Sequence, residues 1–219
     1  MQIKCFTFGP FETNTYVVSS FPSGEDGRGF ILLIDPACSN EYERQQLERY
    51  IDSQPFREGS GLGSLTIVAT HGHLDHLWGA KWATERWNTP VLMHEADIPM
   101  AKAMQSQYNL FGIRATAEPF PIEPLTLSSI HPFTIIHTPG HTPGSICLYF
   151  SESKIKNQKS PILLSGDTLF HMGYGRTDLP GGNMGQLITS LEHLFELPAD
   201  TRVFPGHGDF TTIGTEKRY

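Results

Sequence analysis

Residues 70–76 read Thr70-His71-Gly72-His73-Leu74-Asp75-His76. Four metal-capable side chains fall within six positions, directly after the apolar run at 65–69. A short apolar run of this kind reads as a buried strand. In α/β architectures catalytic groups collect in the loops at the C-terminal ends of such strands. His71 and His73 can reach one metal from a bent loop, and Asp75 and His76 can reach a second close by. Imidazole together with carboxylate suits Zn²⁺, and also Fe or Mn.

A two-metal site needs further ligands, again at strand ends, and three follow. His141 lies in Thr138-Pro139-Gly140-His141, after the strand-like residues 133–137. Asp167 lies in Ser165-Gly166-Asp167, after the apolar run 161–164, and His207 lies in Pro205-Gly206-His207, after residues 201–204. Each is preceded directly by glycine, which permits the tight turns and close backbone approach that a ligand-presenting loop needs.

This order of motifs resembles the metallo-β-lactamase superfamily, over nearly the whole chain. The resemblance implies an α/β fold, an αβ/βα four-layer sandwich, and a metal-dependent hydrolase. It implies that His71, His73 and His141 bind a first metal, that Asp75, His76 and His207 bind a second, and that Asp167 bridges the two. Asp35 follows the strand-like Phe30–Ile34 and matches the family's early strand-end Asp, which would orient ligand imidazoles from behind. Because the ligands run from His71 to His207, residues 1–219 are expected to form one domain.

Within the superfamily the chain is most similar to the glyoxalase II-like (hydroxyacylglutathione hydrolase-like) group, through residues 70–76, 138–145, 166–170 and 205–208. Two departures stand out. The enzymes of that group carry a C-terminal helical region that binds glutathione, whereas this chain ends twelve residues after His207. Their loop after the bridging Asp also carries a Lys, whereas residues 171–182 here offer Arg176. Arg176 is a candidate anchor for a substrate carboxylate, and an ion pair with Asp178 is the competing arrangement.

Two Zn²⁺ balanced by Asp75, Asp167 and one hydroxide leave the centre about one unit positive, which suits an anionic small-molecule substrate. Metal binding lowers the pKa of water to about 7, so a bridging hydroxide is the expected nucleophile, with Asp75 orienting it and taking its proton. A thiolate leaving group, with a conjugate pKa of about 8.5, departs without a strong general acid. Thioester hydrolysis is therefore the expected reaction. The same fold also resembles the persulfide dioxygenases, which hold one Fe²⁺ and would here use His71, His141 and Asp167. They share the Gly175-Arg176-Thr177-Asp178 stretch. A lactonase is a third reading.

The rest of the chain sets bounds. The net charge of −7 and the absence of a basic run argue against a nucleic-acid backbone as partner. No apolar run is long enough to span a membrane or to form a signal-peptide core, so a cytoplasmic protein is expected. Cys5, Cys38 and Cys147 lack metal-ligand spacing and read as buried free thiols. His94, His131, His137 and His193 read as ordinary solvated or hydrogen-bonded histidines. Oligomeric state is not set by any of these features.

The remaining pattern predicts a hairpin from strands 3–8 and 15–19, a loop over 20–29, and an amphipathic helix over 40–53. It also predicts a helix over 75–87 whose positive end faces Asp75, a strand over 91–94 and a helix over 95–108. Met100, Met104, Tyr108 and Phe111 would share a face, for packing rather than as a pocket wall. Residues 115–124, with three prolines, read as an extended loop, residues 184–196 as a late helix, and residues 211–217 as the segment after the last ligand.

Overall fold

The structure, a computed structural model, describes residues 1–20, 29–54, 65–126, 130, 133–151 and 160–218. The loop expected over 20–29 falls almost wholly outside these residues, as does His131. The described strands form two large sheets. The first has six strands in sequence order: β1 (Gln2–Phe8), β2 (Thr13–Ser20), β3 (Phe30–Ile34), β4 (Leu65–Val68), β5 (Val91–Met93) and β6 (Ile122–Pro124). β1, β2 and β3 pair antiparallel, and β3 to β6 run parallel. The second sheet contains β7 (Thr134–His137), β8 (Ile146–Phe150), β9 (Ile162–Gly166), β12 (Arg202–Pro205) and β13 (Thr211–Thr212), in the order β13-β12-β9-β8-β7. A small hairpin, β10 (Leu169–Phe170) with β11 (Gly173–Tyr174), follows β9.

Strand periodicity explains the layers. Successive side chains of a strand point to opposite faces, so a strand buried on both sides must be apolar throughout. Leu32 and Ile34 of β3 face the second sheet, where they meet Ile146, Leu148, Ile162, Leu164 and Phe204. Ile31 and Leu33 face the other way, onto Leu47 and Ile51 of helix α1 (Glu41–Asp52) and Ala80 and Ala83 of helix α2 (Ala80–Trp87). In the second sheet, Cys147, Leu163 and Val203 point outward onto Leu187, Leu191 and Leu194 of helix α5 (Met184–Leu194). Helix, sheet, sheet, helix is the four-layer arrangement expected. Full burial of each Leu or Ile contributes about 1.5–3 kcal/mol, so the three apolar layers dominate the favourable side of folding.

Three segments differ from expectation. The helix expected from Asp75 begins only at Ala80, and residues 74–79 form turns. Gly79 donates its N–H to Pro36 O at 2.7 Å and packs on Cys38, where a side chain would collide. The chain coils only after that approach is made, so no helix end faces Asp75. The helix expected over 95–108 is divided into a 3₁₀ turn (Glu95–Asp97), α3 (Ile98–Lys102) and α4 (Met104–Leu110). Pro99 lacks an N–H for a preceding turn, and Ala103 leaves helical geometry at φ −88°, ψ 26°. The extended loop over 115–124 ends in β6, a short edge strand whose Pro124 sits where proline is tolerated. Residues 211–217 form β13 and helix α6 (Ile213–Glu216). No described helix is long and apolar enough to cross a membrane.

Candidate metal centre

All seven sequence-predicted ligands lie at one end of the sandwich. The first sheet supplies His71, His73, Asp75 and His76 from the loop after β4. The second supplies His141 from the turn between β7 and β8, Asp167 after β9 and His207 after β12. Backbone bonds stitch the two sheets together here. Ile146 N donates to Thr70 O at 2.9 Å, and Asn14 N donates to Gly206 O at 2.7 Å. The Asn14 amide also donates to Pro205 O and Gly208 O, at 3.1 and 3.0 Å.

The ligand-capable atoms fall into three overlapping groups: His71, His73 and His141; His71, His76 and Asp167; and Asp75, His76 and His207. Within each, the atoms lie within 4.8 Å of one another. Asp167 is central. Its Oδ1 lies 3.2 Å from His76 Nε2, and its Oδ2 lies 3.5 Å from both His141 Nε2 and His207 Nε2. Asp75 Oδ2 lies 3.2 Å from His207 Nε2 and 3.4 Å from His76 Nε2.

Hydrogen bonds behind the rings fix their orientation. His76 Nδ1 pairs with Asp35 Oδ2 at 2.9 Å. His141 Nδ1 donates to Arg176 O at 2.7 Å, and His207 Nδ1 donates to Phe11 O at 3.0 Å. Thr70 Oγ1 donates to Asp35 Oδ2 at 2.8 Å, so it accepts from His71 Nδ1, 3.1 Å away. In all four Nδ1 carries a proton and Nε2 is the nitrogen that faces the centre. His73 differs, presenting Nδ1, which lies 2.8 Å from His141 Nε2.

Asp35 serves two rings, one directly and one through Thr70. It is 1% exposed and holds a left-handed backbone at φ 53°. That conformation costs a non-glycine residue free energy. Here Thr70 N donating to Oδ1 at 2.7 Å and Thr15 Oγ1 donating to the Asp35 carbonyl at 2.6 Å offset it.

The residues fit a cation. His71 Nε2, His76 Nε2 and Asp167 Oδ1 are buried without a hydrogen bond, although the last two lie only 3.2 Å apart. Unpaired buried polar atoms are rare in folded chains, and here three converge on one place. The electrostatics agree. Burial opposes charge on His76, yet Asp167, Asp75 and Asp35 hold it well above its ordinary value. Burial likewise opposes charge on His207, yet Asp167 and Asp75 raise it to about 9. Burial would raise Asp75, but His76 and His207 bring it down to about 2. Asp167 is held well below the carboxylate range against its burial, chiefly by His76 and His207. Burial pushes His71 well down and His73 to about 4. Protons on His76 and His207 thus stand where cations fit, between two ionised carboxylates.

Several site residues were not singled out by sequence. Asp97 is fully buried and accepts from Gly72 N at 2.8 Å, Thr142 Oγ1 at 2.6 Å and Gly144 N at 2.6 Å. It ties the His71–His73 loop of one sheet to the His141 turn of the other. A Cβ at Gly144 would lie 2.7 Å from the Asp97 carboxyl carbon, so only glycine allows that approach. Gln107 pins the same loop through Leu74 N and Gly72 O, both at 2.9 Å. Thr13 Oγ1 donates to Asp75 Oδ2 at 2.9 Å. An acidic residue inside an otherwise amphipathic helix pattern was the available signal for Asp97. Thr13 and Gln107 carried none.

Arg176 shows the second of its two arrangements. Its exposed guanidinium makes a bidentate pair with Asp178, at 2.6 Å for each contact, and only its backbone carbonyl touches a ligand ring. Met104 and Tyr108 pack in the core, whereas Phe111 is exposed and meets Phe11 edge-on at 5.6 Å. His94 and His137 stack with ring centres 4.1 Å apart, and His193 is exposed. Cys38 and Cys147 are buried and Cys5 is half-buried.

Residues 8–207 match the family model described as the metallo-beta-lactamase superfamily. The chain belongs to that superfamily. It is 34% identical to a probable metallo-hydrolase, YqgX, of Bacillus subtilis, covering 99% of this chain and 95% of that protein. It is 32% identical to the hydroxyacylglutathione hydrolase GloC of Haemophilus influenzae, over 85% of this chain and 84% of the relative. Among solved structures, TTHA1623 in a di-iron-bound form aligns at 33% identity and a TM-score of 0.78, covering 98% and 97% of the two chains. The BLEG-1 B3 metallo-beta-lactamase aligns at 30% and 0.77, covering 100% and 97%. ETHE1 from Myxococcus xanthus aligns at 25% and 0.67, covering 100% and 82%. Members of the superfamily with similar chains thus carry different names, and the shared ground is a metallo-hydrolase fold with a His-rich centre.

Proposed function

We propose that this chain is a hydrolase of small anionic thioesters that works with two metal ions. The observation that carries the reading is the pair of ligand groups, His71/His73/His141 and Asp75/His76/His207, with Asp167 within 3.5 Å of a ring nitrogen in each. Zinc ions held there would supply water that ionises near neutral pH and a Lewis acid for a carbonyl oxygen.

The protein's own part is to hold and move protons around that centre. Asp75 stays ionised and keeps one bond from Thr13 Oγ1, so it can orient a water and accept its proton. The Asp35–Thr70 and Asp35–His76 bonds hold the two rings so that Nε2 of each faces the centre. No thiol competes as nucleophile. Burial raises Cys38 to about 12 and Cys147 to about 11. Thioesters are favoured because a thiolate departs without a strong acid, and the likeness to a hydroxyacylglutathione hydrolase points the same way.

The alternative, a one-iron persulfide dioxygenase using His71, His141 and Asp167, draws on the likeness to ETHE1. One experiment separates the two. Protein purified anaerobically is analysed for metal, then assayed for thioester hydrolysis and for oxygen consumption with a persulfide. Two metals per chain with hydrolysis supports the proposal. One iron with oxygen uptake and no hydrolysis rejects it.

A further inference from the structure

A groove of about 290 Å³ lies on the helix-covered face of the first sheet, lined in part by Leu77 and Trp78, which directly follow His76 in the chain. Trp78, Trp82, Tyr108 and Phe120 give it aromatic walls. Trp78 stands at the boundary. Its ring lies 6.1 Å from Phe11, whose carbonyl holds His207, and 5.9 Å from Tyr108 in the groove.

Arg44, from α1, also lines it. Its Nε is buried with no hydrogen-bond partner, and its guanidinium makes no ion pair or ring contact among the described residues. Three other arginines are engaged: Arg86 with Glu48 and Asp52, Arg176 with Asp178, and Arg202 over the Phe204 ring. A guanidinium partly withdrawn from water and paired with nothing is costly. The groove's acids do not relieve it. Glu85 pairs with Lys81, Glu118 lies 3.9 Å from the same ammonium, and both carboxylates are about two-thirds exposed.

We propose that the groove is a second small-molecule site, for an aryl carboxylate. Its carboxylate would pair with Arg44, in the planar two-bond geometry that guanidinium favours, and its ring would lie among the aromatic walls. The volume suits one ring with a short acidic side chain, since an apolar cavity of about 150 Å³ takes benzene. This site does not depend on the reaction proposed for the metal centre.

The test is a titration of metal-free protein with 3-phenylpropionate, followed by tryptophan fluorescence, since Trp78 and Trp82 line the groove. Removing metal prevents the acid from binding at the metal centre. We expect saturable binding, and at least about tenfold weaker binding of the neutral amide, 3-phenylpropionamide. Arg44→Gln should lower affinity for the acid about tenfold and leave the amide unchanged. Thr116→Trp, at an exposed position on the rim, should abolish binding by filling the groove, and it decides the matter if Arg44→Gln does not fold. Equal binding of acid and amide, or binding untouched by Thr116→Trp, would overturn the site. Octanoate binding as tightly as the aryl acid would overturn the aromatic assignment.

Discussion

Replacing Asp35 by Asn changes one atom type and should weaken metal binding at His76 by about 10–100-fold. The size follows from the bonds it makes. Oδ1 accepts from Thr70 N, and Oδ2 accepts from both Thr70 Oγ1 and His76 Nδ1. An amide has one accepting side. With its oxygen kept on Thr70 N, its NH₂ faces His76 Nδ1, which must then accept, and the ring proton moves to Nε2. That nitrogen can no longer bind a metal. With the amide turned over, NH₂ meets the Thr70 N–H, donor against donor. Either way one contact is lost, equivalent to about 1.4–2.8 kcal/mol of metal affinity. Asn tolerates the left-handed backbone at φ 53°, so the fold should survive. Ala is the less informative change. It strands three buried groups at about 1–3 kcal/mol each, which approaches the whole stability of a domain. The assay is competition with a chromophoric chelator at fixed pH, with thermal melts in EDTA as the control for folding. Wild-type affinity for both metals in Asp35→Asn would refute the tautomer argument. So would metal loss no larger than the loss of metal-free stability explains.

Chelation of the wild type should lower its melting temperature by about 5–10 °C. Ligand at a hundred times its Kd contributes about 2.7 kcal/mol, and a chain of this size shifts about 2–4 °C per kcal/mol; an unchanged melt with EDTA would show that the centre holds no metal. Gly206→Ala should remove metal binding and activity with little change in far-ultraviolet circular dichroism, because its Cβ would press on Asp167 Oδ1 and lie 2.7 Å from His76 Cε1; retained metal stoichiometry would refute the close approach. Cys5 is raised to about 11 by burial, and Cys147 and Cys38 to about 11 and 12. At pH 8 their thiolate fraction is therefore roughly one in a thousand or less. Alkylation should be slow in the native protein and should reach three thiols only after denaturation; three fast-reacting native thiols would contradict the burial. Asp97→Ala should weaken metal binding and lower the melting temperature together, since three donors lose their acceptor; a change in neither would show that the brace is dispensable.

The parts of this architecture legible from sequence are those written locally. Apolar runs such as Ile162–Gly166, buried on both faces, read as inner strands, and the Gly-His and Gly-Asp steps after them mark where the chain turns at the site. What was not legible depends on distant partners. The late start of α2 is set by Gly79 meeting Pro36 and Cys38, some forty residues earlier. Asp97 shows locally only as an acidic residue within a helix pattern, and its role as a brace is hidden because two of its three partners, Thr142 and Gly144, belong to the other sheet. For Arg176 the sequence left two arrangements open, and only the placed side chains show the pair with Asp178.

The division of the centre between two sheets also sets an order of events in time. Residues 71–76 come from one sheet, and His141, Asp167 and His207 from the other. Neither half alone completes the set for either proposed metal, since His141 and His207 each join a pair from residues 71–76, so capture of the full complement must wait until the halves have docked. Contacts so distant in sequence form slowly. Metal uptake, watched during refolding, is then a clock for the last step of assembly, and it should lag behind the formation of either sheet.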